Sequence, residues 1–145
     1  AMAAEIGTMR VTEQIDALES LGRSPASHLV VPRVIAGLIM IPTLTVLANL
    51  TGILAGWISV KLVLPITDAD FTYGAQSYWR PWDAWYSVIK SFFFAASITL
   101  ISCYMGFSTQ QGAEGVGKST TGAVVVSSIL ILLLDTVLTR LLLNQ

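Results

Sequence analysis

The sequence predicts an all-α integral membrane protein with three membrane-spanning helices. Of its 145 residues, 54% are hydrophobic and only 12% are charged, whereas about 25% of the residues in a typical soluble domain are charged. The mean hydropathy is +0.71. Three stretches hold no Asp, Glu, Lys or Arg: residues 34–60, 91–113 and 119–134. Apolar runs of about 20 residues are typical of helices that cross a bilayer.

Charge and residue content argue against several other classes of function. The net charge of −1 provides no basic surface for nucleic acid. The single cysteine, Cys103, and the single histidine, His28, leave no disulfide framework, no metal-ligand cluster and no catalytic triad. We therefore expect no enzymatic chemistry, metal or cofactor in this chain.

The N-terminal segment, residues 1–29, is predicted to carry a short amphipathic helix. Val11, Ile15 and Leu18 recur at i, i+4 and i+7 and would share one helical face. The other faces carry polar side chains: Arg10, Glu13, Gln14 and Glu19. A helix of about twelve residues is roughly 18 Å long, too short to span a bilayer. It would lie on the membrane surface as a connector or enter a groove on a partner.

The first predicted span covers residues 30–62. Its uncharged part alone is longer than a ~30 Å hydrocarbon core requires, so the helix must tilt, kink or project, with Pro42 as the expected kink. Gly52 and Gly56 form a G-x-x-x-G pair, which favours close helix packing over incidental placement of two small residues. Asn49 is expected to hydrogen-bond across helices.

Residues 63–86 are predicted to form an interfacial loop containing a short helix. The aromatic residues in its second half are spaced by three and four positions, as expected for one helical face near the headgroups: Trp79, Trp82, Trp85 and Tyr86. An aromatic site for a sugar or a cation is the alternative interpretation.

The remaining chain is predicted to hold a span over residues 87–107, a polar loop over 108–120 and a third span over 121–143. Lys90 is expected to snorkel towards the membrane surface. The distribution of Lys and Arg favours a cytoplasmic N-terminus.

Asp135 lies inside the third apolar span, where a carboxylate is costly and is by default a functional candidate. It is either a structural partner of Arg140, of Thr139 or of a neighbouring helix, or a group tied to function. Arg140 is close enough to the end of the span to snorkel to the outer interface.

A nucleotide-binding motif also occurs in the sequence but lacks the required context. Residues 112–119, GAEGVGKS, match G-x-x-x-x-G-K-[ST], and the apolar run ending at Asp135 imitates a Walker B strand. A P-loop joins a buried strand to a helix in a parallel sheet, whereas membrane spans flank this segment. A βαβ unit also needs about 30 residues or more. We expect a tight Gly-rich turn, with the third helix starting within residues 119–121.

Three motifs of the sequence, which occur in the correct order, resemble those of the MlaE/YrbE permease family of lipid-transporting ABC systems. They are EIGTMRVTEQIDAL, PASHLVVPRVIAGLIMIP and GFSTQQGAEGVGKSTTGAVVVSSILILLLDTVLT. The resemblance covers nearly the whole chain. Its most specific parts are the EQIDAL motif, the VVPR motif at the start of a span and the GVGxxTTxAVV motif that precedes Asp135.

The resemblance implies that the EQIDAL helix is a coupling helix seated in a cleft of a cytoplasmic ABC ATPase. Five residues of this sequence would transmit nucleotide-driven motion into the span that begins after the VVPR motif: Arg10, Glu13, Gln14, Asp16 and Leu18. ATP would be bound by the ATPase subunit, so this chain itself would need no cofactor.

The resemblance also implies further partners and a location. The partners are a second permease copy in a homodimer, a periplasmic MCE-domain lipid-binding protein, a STAS-domain accessory protein and phospholipid. The location is the bacterial inner membrane, with lipid moved between that membrane and the outer envelope. These permeases usually have five spans after an N-terminal surface helix, so the chain resembles their C-terminal part. The alternative is a non-transporting membrane scaffold for a cytoplasmic partner.

Overall fold

The structure, a computed structural model, describes residues 1–63, 67–110 and 112–143, and all regular structure in these ranges is helical. The helices are α1 (Met2–Val11), α2 (Gln14–Ser20), α3 (Val31–Val63), α4 (Asp68–Tyr78), α5 (Pro81–Phe107) and α6 (Ala113–Leu143). A π-helical turn, Ala26–Val30, leads directly into α3. The predicted all-α class is confirmed. Residues 64–66 and 111 of the two predicted loops lie outside the described residues.

Three helices are long and apolar enough to cross a membrane. The first joins the π-helical turn to α3, the second is α5 and the third is α6. The second begins earlier than predicted because Arg80 is extended and Pro81 starts the helix, a position where its missing N–H costs nothing. The third begins earlier as well, at Ala113.

Helix α5 lies at the centre of the packing, in contact with α1, α3 and α6. The side of α5 that these helices cover is built from small buried residues: Ser91, Ala95, Thr99, Cys103 and Gly106. Their spacing of three or four positions places them in one stripe along the helix. Small side chains allow neighbouring backbones to approach closely, which is how helices associate within lipid.

The closest approach of α3 to α5 is at Gly37. A Cβ atom at Gly37 would overlap the Cγ2 methyl of Thr99. The predicted packing pair behaves differently, because nothing lies within 4 Å of the Cβ positions of Gly52 and Gly56 in the part of the chain that the structure describes. Within the described residues the close approach of α3 to another helix is at Gly37, and packing of Gly52 and Gly56 against a further helix stays a prediction.

The buried hydrophobic core lies at one end of the helices. It is formed by Ile6, Ile15 and Cys103, with half-buried neighbours around them: Met9, Leu29, Val30 and Phe107. Helix α1 packs against both α5 and α6. Most of α1 is consequently part of the helical bundle.

The four aromatic residues do not lie on the single short helix that was predicted. Helix α4 ends at Tyr78, Trp79 is extended, and Trp82, Trp85 and Tyr86 belong to the first turns of α5. The reason is Pro81, which disfavours helical geometry in the residue before it. The indole N–H of Trp82 donates to the carbonyl of Leu142 near the end of α6, at 3.4 Å.

The two kinds of glycine in α3 should respond differently to alanine. We expect Gly37→Ala to lower the free energy of unfolding by about 1–3 kcal/mol, because the added methyl must displace Thr99. The matched control, Gly52→Ala, should be neutral or stabilising by up to about 1 kcal/mol, because alanine favours a helix and meets no neighbour there. Unfolding in mixed micelles with increasing SDS measures both, and equal responses would contradict the assigned contact.

Candidate functional site

A sharp break at Thr12 and Glu13 separates α1 from α2. Glu13 adopts a left-handed conformation, with φ 59° and ψ 15°, which is uncommon outside glycine. The hydroxyl of Thr12 donates back to the carbonyl of Thr8 at 2.9 Å. The predicted continuous helix, with Val11, Ile15 and Leu18 on one face, is therefore wrong.

The break has a physical reason in the burial of two isoleucines. Ile6 and Ile15 are 0% and 1% exposed and belong to the same core. In one continuous helix they would project from opposite faces, because nine residues correspond to two and a half turns. The turn at Glu13 lets both side chains enter the core, and the polar residues around Ile15 then face outwards.

An ion pair bridges the break on its outer side. The guanidinium of Arg10 lies 2.8 Å from the carboxylate of Asp16, and both side chains are about half exposed. Such exposed pairs contribute modestly to stability, so this pair mainly orients the two side chains. Glu13 and Gln14 are exposed beside it, and Leu18 is half-buried.

A cavity of about 310 Å³ lies between the break and the end of α5, lined in part by Arg10, Glu13 and Asp16. The structure thus brings together three of the five residues predicted for coupling, while Gln14 and Leu18 do not line this cavity. Two further lining residues, Thr109 and Gln110, were missed by sequence reasoning. They follow α5 in the chain, and no local pattern relates them to α2.

Thr109 fixes the position of the segment after α5. It is 7% exposed, and its hydroxyl forms a 2.8 Å hydrogen bond with that of Ser119 on α6. A Cβ atom at Gly7 would lie 2.9 Å from the same hydroxyl oxygen, so only glycine allows α1 to approach this closely. Helices α1, α5 and α6 therefore meet directly behind the α1–α2 break.

Residues 113–119 of the nucleotide-binding motif are helical rather than a loop. Helix α6 begins at Ala113 and includes Gly115, Lys118 and Ser119. The expectation of a tight turn up to Ser119 is wrong, because Gly112, with φ 97°, already ends the turn. A Cβ atom at Gly115 would overlap the carbonyl of Gln110, which explains that glycine by packing alone. This helical geometry differs from the loop that surrounds a phosphate in P-loop proteins.

Asp135 forms an ion pair with Lys90 of α5. Of the alternatives left open by the sequence, a partner on a neighbouring helix is the one observed, and within the described residues Arg140 has no carboxylate partner. Lys90 was predicted only to snorkel. The signal that could have identified it is the presence of opposite charges, Lys90 and Asp135, within two neighbouring apolar spans.

Lys90 is also the centre of a small polar network. Its ammonium donates to the hydroxyl of Tyr86 at 3.1 Å and to that of Thr139 at 3.4 Å, and these two hydroxyls are 2.9 Å apart. Lys90 lies roughly 13 Å from the start of α5, at 1.5 Å per residue. Pairing with Asp135 lowers the free-energy cost of placing the Lys90 charge this far inside the span, because each group meets a polar partner.

Asn49 confirms the expected bond between spans. Its side-chain amide donates to the hydroxyl of Ser87 at 3.0 Å, which joins α3 to α5. Ser87 and Lys90 are three residues apart on α5. Polar bonds thus connect α5 to both other spans at nearly the same level along α5.

Comparison with known proteins relates this chain to membrane permeases. A family model described as Permease MlaE matches residues 1–141. A probable ABC transporter permease protein of Rickettsia conorii is 42% identical over 97% of this chain and 54% of its own length. A similar protein of Synechocystis is 46% identical over 88% of this chain and 48% of its own length.

A plant protein shows the same similarity. The chloroplastic protein TRIGALACTOSYLDIACYLGLYCEROL 1 of Arabidopsis thaliana is 43% identical over 95% of this chain and 39% of its own length. The chain spans about half the length of the curated relatives it matches. The family match and the three long apolar helices together indicate a multi-pass membrane protein. The chain belongs to the MlaE permease family of ABC transporter membrane proteins.

Proposed function

We propose that this chain forms part of the membrane permease of an ABC transporter that moves phospholipid or a related lipid between the bacterial inner membrane and the outer envelope. Membership of the MlaE permease family supports the transporter class. The Arabidopsis relative, whose name contains a diacylglycerol lipid, supports a lipid substrate. A separate cytoplasmic ATPase supplies the energy.

The observation that carries the proposal is the way α2 is attached to the bundle. Ile15 is buried against Ile6 and Cys103, while Glu13, Gln14 and Asp16 are exposed on the other side. A protein that binds the exposed side can therefore push on α2 without unfolding it. The displacement passes through the buried contacts into α1 and α5 as a rigid-body shift.

The residues proposed for ATPase coupling now divide into two groups. Arg10, Glu13 and Asp16 line the cavity at the break and are suited to receive charged side chains of the ATPase. Gln14 and Leu18 form the second group: Gln14 is exposed on the first turn of α2 and would add a polar contact, and the half-buried Leu18 would add an apolar one.

Further partners are proposed on the basis of the family alone. They are a second permease copy, a periplasmic MCE-domain lipid-binding protein and a STAS-domain accessory protein. Helix α3 is the most exposed of the three apolar helices, and its outward apolar surface, including Gly52 and Gly56, is available to lipid or to these partners.

For the polar network we propose a structural role within the transporter. Lys90 and Asp135 hold α5 and α6 together inside the membrane, with Tyr86 and Thr139 completing the hydrogen bonds. The two helices would then move as one unit when α2 is displaced. Arg140, nearer the end of α6, is proposed to contact the outer headgroups.

Reversal of charge at Asp16 tests the coupling surface. We expect Asp16→Lys to reduce ATP-dependent lipid transfer by about tenfold or more, because a charged contact with the ATPase would become repulsive. Glu19→Lys is the matched control, since Glu19 is exposed on the same helix but does not line the cavity. Transfer of fluorescent phospholipid by the reconstituted permease–ATPase complex, measured beside ATP hydrolysis, gives both readouts.

A second variant separates docking from the ion pair within the chain. Arg10→Asp combined with Asp16→Arg rebuilds the pair with reversed polarity. If the ATPase recognises the individual charges at positions 10 and 16, lipid transfer by this double variant stays below the wild-type rate. Recovery of transfer to the wild-type rate would show that only the internal pair matters, and this would contradict the proposed docking surface.

Removal of one member of the intramembrane pair should destabilise the protein, whereas removal of both should not. We expect Asp135→Leu to cost about 2.5–3.5 kcal/mol, because Lys90 is left charged without its partner in an apolar span. Lys90→Met combined with Asp135→Leu should restore stability and, with it, lipid transfer. A double variant that is stable to SDS but transfers no lipid would refute the purely structural role.

A further inference from the structure

A groove runs along the outer end of the protein between α3, α4 and the start of α5. It consists of two adjoining cavities of about 380 and 660 Å³, which share Ile53, Trp79 and Asp83 in their linings. The first lies between α3 and α5, and the second lies between α3 and α4. The groove is open at the side, so a ligand can enter it from the membrane.

The floor of the groove is an apolar stripe of α3. Val46, Leu50, Ile53 and Val60 line it and share one side of the helix. From the first to the last of these residues the helix rises about 21 Å. This exceeds the roughly 15 Å of hydrocarbon in one leaflet, which is half of a ~30 Å core. In a membrane protein, an open apolar groove of this length is filled by an acyl chain unless another polypeptide covers it.

The end of the groove nearest α4 has a different chemistry, because two carboxylates and two aromatic rings line it. Asp70, Asp83, Tyr78 and Trp79 are all exposed there. Among the described residues, neither carboxylate forms an ion pair with a Lys or Arg, whereas the nearby Asp68 is paired with Lys61 at 3.0 Å. A helix N-terminus favours acidic residues in its first turn even without a ligand. Two unpaired carboxylates beside one groove nevertheless create a strong local preference for a cation.

The geometry points to a binding site for a membrane phospholipid with an ammonium headgroup. The ammonium lies between Asp70 and Asp83, the rings of Tyr78 and Trp79 contribute cation–π attraction, and one acyl chain follows the α3 stripe. The position of the site supports this arrangement, since aromatic residues such as Trp79 are enriched at the headgroup level of membrane proteins. Because the site requires only that the helices lie in a bilayer, the inference does not depend on the proposed transport function.

Competition between two headgroups tests the site. The protein is placed in nanodiscs of equimolar phosphatidylethanolamine and phosphatidylglycerol, without ATPase or nucleotide, and the lipids retained after mild delipidation are counted by native mass spectrometry. We expect phosphatidylethanolamine to be enriched roughly three- to fivefold over phosphatidylglycerol, as two partly exposed ion pairs would provide. Asp70→Asn combined with Asp83→Asn should return the ratio to that of the mixture.

The matched control is Asp68→Asn, which removes a carboxylate from the same turn of α4 but not from the groove lining. It should retain the wild-type ratio. The site is overturned if the wild type binds both lipids equally, or if the double variant keeps its preference. It is also overturned if a cysteine placed by Val60→Cys crosslinks in membranes to another polypeptide, since the groove would then hold a protein helix. Helical content measured by circular dichroism verifies that each variant is folded.

Discussion

The stripe of small residues on α5 is the contact on which the other helices depend. Thr99, Cys103 and Gly106 leave little side chain between α5 and its neighbours, so α1 and α3 approach it closely. Gly37 of α3 lies against Thr99, and Ile6 of α1 lies over Gly106, where a Cβ atom would be 2.7 Å from that of Ile6. In a bilayer, apolar side chains gain little by leaving lipid for protein, so such close packing replaces the hydrophobic effect as the source of association.

Polar bonds add specificity to this packing. Helix α5 is joined to α6 by Lys90 and Asp135 and to α3 by the bond between Ser87 and Asn49. Bonds of this type contribute modestly in membranes, about 0.6 kcal/mol on average. Their greater effect is on register, because a polar group that loses its partner within the apolar part of a bilayer is costly and a shift of either neighbour along α5 would separate these pairs. Small residues thus set the distance between helices, and the polar pairs set their alignment.

Much of the fold was predictable because single helices are encoded locally. The three spans follow from stretches without charge, and the cross-helix role of Asn49 follows from the cost of an amide in lipid. The wrong predictions concern contacts between distant segments. The α1–α2 break is required by the shared core of Ile6 and Ile15, which no local period reveals. Gly37 and Gly52 look alike in the sequence, and only the position of α5 distinguishes them. Thr109 and Gln110 join the site through tertiary packing alone.

The packing also determines where a displacement of α2 would be transmitted. The family resemblance suggested the span that follows Arg33, but Ile15 contacts the core formed with α1 and α5. Helix α3 is connected to that core through Leu29 and Val30, and through the 2.9 Å ion pair of Arg33 with Glu5 on α1. Helix α1 therefore connects α2 to α5 and α6, in addition to the direct contact of Ile15 with Cys103 of α5. A force applied at α2 would reach α5 and α6 through buried contacts, and it would reach α3 both through the partly exposed ion pair and through the packing of α3 on α5. Rigid coupling thus favours joint motion of α5 and α6, and α3 moves with them because it is packed on α5 at Gly37 and bonded to it by Asn49.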